Sequence, residues 1–124
     1  VSRGLGDVYK RQPWDWGKAF DHSAPLSPLI PLADIPKAQA EFNTGRIWLS
    51  VNGELRQDAD LSELIWSVKD IIAFCSQSVR LQAGDLIFTG TPAGVSAVGP
   101  GDSLSGGVDG IGKIQITLGE REAV

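Results

Sequence analysis

Apolar and polar residues alternate along some stretches of the chain and recur at helical spacing along another. In Ile47-Trp48-Leu49-Ser50-Val51 the alternation suits a half-buried strand, because successive side chains of an extended backbone point to opposite faces. Asn52-Gly53 follows at once and is the strongest two-residue hairpin signal, since both turn positions require positive φ. Residues 54–57 are the expected return strand. Further on, Ile114, Ile116 and Leu118 repeat with period two, so residues 111–118 are expected to pair with residues 102–108 across the turn Asp109-Gly110. Between the hairpins, Val68, Ile71, Ile72, Cys75 and Val79 form an apolar stripe near helical spacing. Ser67 is placed to cap that helix, Asp70 three residues on makes a shortened capping box, and the helix ends near Ser78.

Leu81-Gln82-Ala83-Gly84 then turns the chain into an expected strand over residues 85–89. Residues 29–44, with Pro31, Pro36 and a polar run, read as a long loop with at most a helical turn. Strands dominate and one helix packs on them. The predicted class is α+β, a mixed β roll.

Composition narrows the function classes. The chain has 124 residues, 42% of them hydrophobic and 21% charged, as expected for one globular domain rather than a disordered or fibrous chain. A formal net charge of -4 with scattered basic residues offers no patch to neutralise phosphates, which excludes nucleic acid as a partner. One cysteine makes neither an internal disulfide nor a thiolate zinc cluster, and no apolar run approaches membrane-spanning length. A reduced, cytoplasmic setting is the expectation.

The richest segment for chemistry is Gly84-Asp85-Leu86-Ile87-Phe88-Thr89-Gly90-Thr91-Pro92-Ala93-Gly94-Val95, where an apolar run leads into a loop of Gly, Thr and Pro. Glycines let backbone approach a ligand closely, Pro92 fixes one φ, and two threonines supply hydroxyls. Tight turns between strands use the same residue types, so the segment alone leaves both readings open.

A second segment, Trp16-Gly17-Lys18-Ala19-Phe20-Asp21-His22-Ser23-Ala24-Pro25, changes the balance. Gly-Lys-Ala-Phe-Asp with Ser-Ala-Pro, then Val51-Asn52-Gly53-Glu54-Leu55-Arg56-Gln57, then Gly84-Asp85-Leu86-Ile87 with Thr89-Gly90-Thr91-Pro92, resembles the C-terminal catalytic domain of the fumarylacetoacetate hydrolase family. The order and rough spacing match over residues 13–118. The resemblance implies that Lys18 is catalytic and substrate-binding, its ammonium holding a carboxylate or oxo group. It implies that Thr91 also contacts the bound oxo-acid, with Thr89 facing a neighbouring strand. His22 is the only histidine, but the family's proposed catalytic histidine comes from an upstream segment. Cys75 reads as a small core residue, and Asp21 takes no metal role.

The resemblance also implies one divalent cation, Mg2+ or Mn2+, bound by a Glu-x-Glu pair and an aspartate upstream of the Gly-Lys block. Nothing in this chain matches that ligand set; Glu54, Asp58 and Asp60 read as solvated carboxylates. Residues 1–12 show no periodicity and none of the family's pattern for that region, an Arg-Asp pair with a nearby Gln. They are expected to be a non-native arm on a catalytic domain that occupies residues 13–124 and is incomplete at its N-terminus. The implied activity of the intact parent is metal-dependent cleavage of a carbon–carbon bond in acylpyruvates of the fumarylpyruvate kind, through a pyruvate enolate. The fragment itself is expected to hold no cation and to be inactive. Oxaloacetate decarboxylation and hydroxymuconate isomerisation use the same enolate. The implied partner is a small oxo-acid, and the implied assembly is a homodimer. From another class, a non-catalytic β-rich binding module also agrees with these residues.

Overall fold

The computed structural model describes residues 15–120. The arm expected over residues 1–12 lies outside them. Among the described residues, two α-helices and four strands follow in order: α1 (Asp15–Lys18), β1 (Arg46–Val51), β2 (Glu54–Asp60), α2 (Val68–Ser78), β3 (Ser103–Val108) and β4 (Gly112–Thr117). The strands make one antiparallel sheet in the order β2-β1-β3-β4. It consists of two hairpins joined along the β1–β3 seam, as an α+β fold.

The β1–β2 turn forms where the sequence places it, with Asn52 at φ 51 and Gly53 at φ 80. The return strand runs beyond the expected residue 57 to Asp60. Its register shifts once: Leu49 faces Gln57 but Ser50 faces Leu55, so Arg56 has no partner on β1. This bulge reverses the side-chain alternation of β2. Directly opposed residues share a face of the sheet, so Gln57 joins Ile47, Leu49 and Val51, while Leu55 lies with Ser50 on the other face and stays exposed.

The same rule sorts the whole sheet. Ile47, Leu49, Val51, Ala59, Leu104, Val108, Ile114 and Ile116 share one face, and Arg46, Trp48, Ser50, Asp58, Ser105, Lys113 and Gln115 share the other. Val51 is buried there, and so is Gln57, a polar residue on an apolar face. On the polar face Arg46 makes two hydrogen bonds to Asp58, of 2.7 and 3.1 Å, and the Trp48 indole donates to Asp109 Oδ1 at 3.1 Å.

Helix α2 starts and stops as its pattern requires. The Ser67 hydroxyl accepts from the Asp70 amide at 3.1 Å and donates to the Asp70 carboxylate at 2.7 Å. Of its apolar stripe, Val68, Ile71 and Cys75 are half-buried, whereas Ile72 and Val79 are exposed. A full capping box lies at the end of β2: Asp60 Oδ1 accepts from the Ser62 amide and Glu63 reaches back to the Asp60 amide, at 2.9 and 3.0 Å.

The strand expected over residues 85–89 is a correction. Those residues carry no ladder among the described residues, and Leu86, Ile87 and Phe88 are exposed. A run of β-favouring side chains becomes a strand only where another edge offers donors and acceptors, and none of the described strands pairs with it.

Three carboxylates, one bridging β1 and β2 and two tying loops to the sheet, lend it acid sensitivity. The Asp58 pKa is held down by the Arg46 hydrogen bond, that of Asp60 by Ser62 and the Gly45 amide, and that of Asp102 by the Gly99 amide and Asn52. A group whose folded pKa is depressed stabilises the fold above its unfolded pKa, about 3.9 for aspartate, and loses that contribution as pH falls through the folded value. Thermal melting between pH 7 and pH 2 is therefore expected to show a midpoint that falls only below about pH 4. An Asp60→Asn variant should show a shallower fall.

Candidate functional site

The Thr89-Gly90-Thr91-Pro92 loop is fastened to the sheet by Gln57. With the bulge turning it onto the apolar face, its side-chain amide donates to Thr91 Oγ1 at 2.8 Å and to the Pro92 carbonyl at 2.7 Å, with the Ala93 carbonyl at 3.5 Å. Gly94 closes the same contact from the loop side at φ +101, and a Cβ there would overlap the Arg56 carbonyl oxygen. Backbone meets backbone at this point. The Arg56 guanidinium also reaches Ser96 Oγ at 3.4 Å.

Two hollows flank the loop. One, of about 530 Å³, is lined by Leu26, Ile30, Trp48, Phe88, Ile111 and Ile114 with Gln57, Lys113, Gly90, Thr91 and Pro92. The other, of about 590 Å³, has Leu61, Leu64, Trp66 and Ile71 with Asp58, Asp60 and Glu63, and again Gly90, Thr91 and Pro92. Thr91 is exposed and borders both. Thr89 lines the second hollow together with Ile47 of β1 and Asp58 and Ala59 of β2.

Lys18 is the last residue of α1 and is exposed, and it pairs with no carboxylate among the described residues. It is not among the residues lining either hollow. His22 is an exposed turn residue at φ 59, in the turn closed by Ser23 N donating to Phe20 O at 3.0 Å. Cys75 is a half-buried free thiol on α2.

No group of three or more His, Cys, Asp or Glu residues is close enough to hold a metal ion among the described residues. The nearby carboxylates already have partners: Asp58 binds Arg46, Asp60 accepts from the Gly45 and Ser62 amides, and Glu54 lies 3.5 Å from Arg56. A hard divalent cation needs a near-octahedral set of oxygen ligands, and these residues do not fit one.

Gln57 went unrecognised in the sequence as a member of the site. Its signal was a long polar side chain whose alternation from Asn52-Gly53 would group it with Leu55, a pairing that only a bulge can break.

The family model described as Fumarylacetoacetate (FAA) hydrolase C-terminal matches residues 1–118. The chain belongs to the fumarylacetoacetate hydrolase family. Among relatives of this family, a fumarylpyruvate hydrolase from Ralstonia sp is 42% identical over 113 residues, covering 91% of this chain and 56% of that protein. The mitochondrial oxaloacetate tautomerase FAHD1 of Rattus norvegicus is also 42% identical over 113 residues, covering 90% of this chain and 49% of its own length. The crystal structure of fumarylpyruvate hydrolase from Pseudomonas aeruginosa in complex with Mn2+ and pyruvate superposes with a TM-score of 0.84 at 38% identity, over 94% of this chain and 48% of that one. The chain thus spans about half the length of the fumarylacetoacetate hydrolase relatives it matches.

Proposed function

We propose that this chain is the part of an acylpyruvate-cleaving hydrolase that holds the oxo-acid end of the substrate. The observation that carries this reading is its 38% identity to a fumarylpyruvate hydrolase solved with Mn2+ and pyruvate, supported by 42% identity to a second fumarylpyruvate hydrolase. In this reading Thr91 donates its hydroxyl to the pyruvoyl end. Lys18 binds the substrate and acts in catalysis. The divalent cation, Mg2+ or Mn2+, is held by carboxylates outside the described residues, and the steps assigned here belong to this chain's side chains.

The reaction adds water to the acyl carbonyl and breaks the bond between that carbon and the neighbouring methylene. The electron pair of the broken bond enters the pyruvate enolate, the acyl group leaves as a carboxylic acid, and the enolate takes a proton to give pyruvate. An ammonium such as that of Lys18 stabilises the enolate charge as it develops, which lowers the barrier rather than merely tightening binding. The exposed Lys18 and Thr91 are open to a small anionic ligand. In this reading the whole protein works in the cytoplasm as a homodimer.

A second reading is favoured by the equally similar oxaloacetate tautomerase, whose named activity would need a carboxylate clamp without carbon–carbon cleavage. Assays with fumarylpyruvate, acetylpyruvate and enol-oxaloacetate separate the two. The full-length protein is expected to release pyruvate from the acylpyruvates in the presence of Mg2+ or Mn2+, and the 124-residue chain alone to stay at background. Metal-dependent turnover by the isolated chain would overturn the division of labour. Ketonisation without cleavage by the full-length protein would favour the tautomerase.

A further inference from the structure

We infer that Gln57 is the positioning residue that makes the Thr91 hydroxyl a hydrogen-bond donor toward the ligand, an inference resting on the oxo-acid reading of that loop. A hydroxyl can accept and donate at once, and by itself its single proton rotates to suit its surroundings. Here the choice is constrained from the sheet side. Gln57 is 8% exposed and its Nε2 lies 2.8 Å from Thr91 Oγ1 and 2.7 Å from the Pro92 carbonyl.

A carbonyl oxygen only accepts, so the amide nitrogen, not its oxygen, must face Pro92. That fixes the amide, and the nitrogen then donates to Thr91 as well. Since Thr91 Oγ1 accepts from the sheet, its own proton is directed away from Gln57, toward the exposed side of the loop, where the hollows lie. The result is a donor aimed outward, the polarity that a carboxylate or enolate oxygen needs. The bulge at Arg56 is what makes this possible, because unbroken alternation would put Gln57 on the same face as Leu55.

Chemistry predicts an asymmetric response to substitution. Gln57→Glu keeps the length but carries no donor: its carboxylate repels the Pro92 carbonyl and accepts from Thr91, turning the hydroxyl proton inward. Gln57→Met removes the donor without adding charge and frees the hydroxyl to rotate.

The test uses the full-length protein with Mn2+ and pyruvate as the probe, measuring pyruvate affinity, thermal midpoint, and KM against kcat in turnover. Thr91→Val and Gln57→Glu are each expected to weaken pyruvate binding by about tenfold or more, as for loss of a hydrogen bond to a charged group. The double variant should be no weaker than the poorer single one, because both act through one hydroxyl. Gln57→Met should show a smaller loss, and the loss in turnover should appear in KM. In the wild-type protein with diamagnetic Mg2+ in place of Mn2+, the Gln57 side-chain amide resonances should shift on saturation with pyruvate, a readout that does not depend on any variant folding.

If Thr91→Val leaves pyruvate affinity unchanged, the oxo-acid reading of the loop fails and this inference falls with it. If Thr91→Val weakens binding while Gln57→Met and any folded Gln57→Glu protein lose thermal stability but bind pyruvate as the wild type does, only the inference falls, and Gln57 is a structural strut. Gln57 amide resonances that do not move at saturating pyruvate also overturn it.

Discussion

A Lys18→Ala substitution in the full-length protein is expected to lower turnover by about 10²- to 10³-fold, the range for removing one preorganised group that meets developing negative charge. The loss should fall on kcat and kcat/KM together, because the ammonium is proposed to act on charge that exists fully only after the carbon–carbon bond begins to break. Stability should be nearly untouched. Lys18 is exposed at the end of a four-residue helix and pairs with no carboxylate among the described residues, so truncating it is expected to change folding free energy by no more than about 0.5 kcal/mol. Steady-state kinetics beside thermal melting test both halves of the expectation. Undiminished turnover removes Lys18 from the chemistry, and a large fall in melting temperature would mean that the residue holds the fold instead.

Gly94→Ala is the second large effect, and it works through structure. Gly94 has φ +101, a conformation that disfavours any residue with a Cβ, and the added methyl would also overlap the Arg56 carbonyl oxygen on β2. The overlapped atom is itself backbone, so no side-chain rotation relieves the clash. Conformational strain and overpacking each cost about 1–3 kcal/mol, so the variant is expected to lose roughly 2–6 kcal/mol or to release the loop from the sheet. Release would separate Gln57 from Thr91 and Pro92. Amide hydrogen exchange distinguishes the outcomes: faster exchange confined to the loop with β1 and β2 protected means release, whereas faster exchange throughout the sheet means global destabilisation. Exchange and melting like those of the wild type would show that the loop does not depend on this contact.

Much of the sheet was legible because its signals are local. Asn52-Gly53 and Asp109-Gly110 stand at hairpin turns, Ile114 and Ile116 share the apolar face, and Ser67 caps the helix that ends at Ser78. What the sequence concealed depends on distant partners. The run at residues 85–89 has strand-like side chains, yet among the described residues no edge receives it. The Arg56 bulge has no composition of its own and appears only in the register of β1 against β2. Gln57 therefore read as an ordinary residue of a return strand. Lys18 and Thr91 were recognisable as chemical candidates only through whole motif blocks, since neither an exposed lysine nor a threonine in a turn is distinctive alone.

The β1–β3 seam has a consequence for how the chain folds. Each hairpin closes over a short turn, an event of microseconds, but the seam joins residues such as Asn52 and Asp102 that lie fifty positions apart. Closing so long a loop must precede the reward of the contacts that hold it. Asn52 concentrates that reward, donating to Asp102 at 2.8 Å and accepting from the Ser103 amide at 2.9 Å while its own amide bonds the Ser103 carbonyl at 2.8 Å. The residue that shapes the first hairpin's turn thus also anchors one end of the ladder that pairs residues 47–51 with 104–108, where two separately formed ribbons become one sheet.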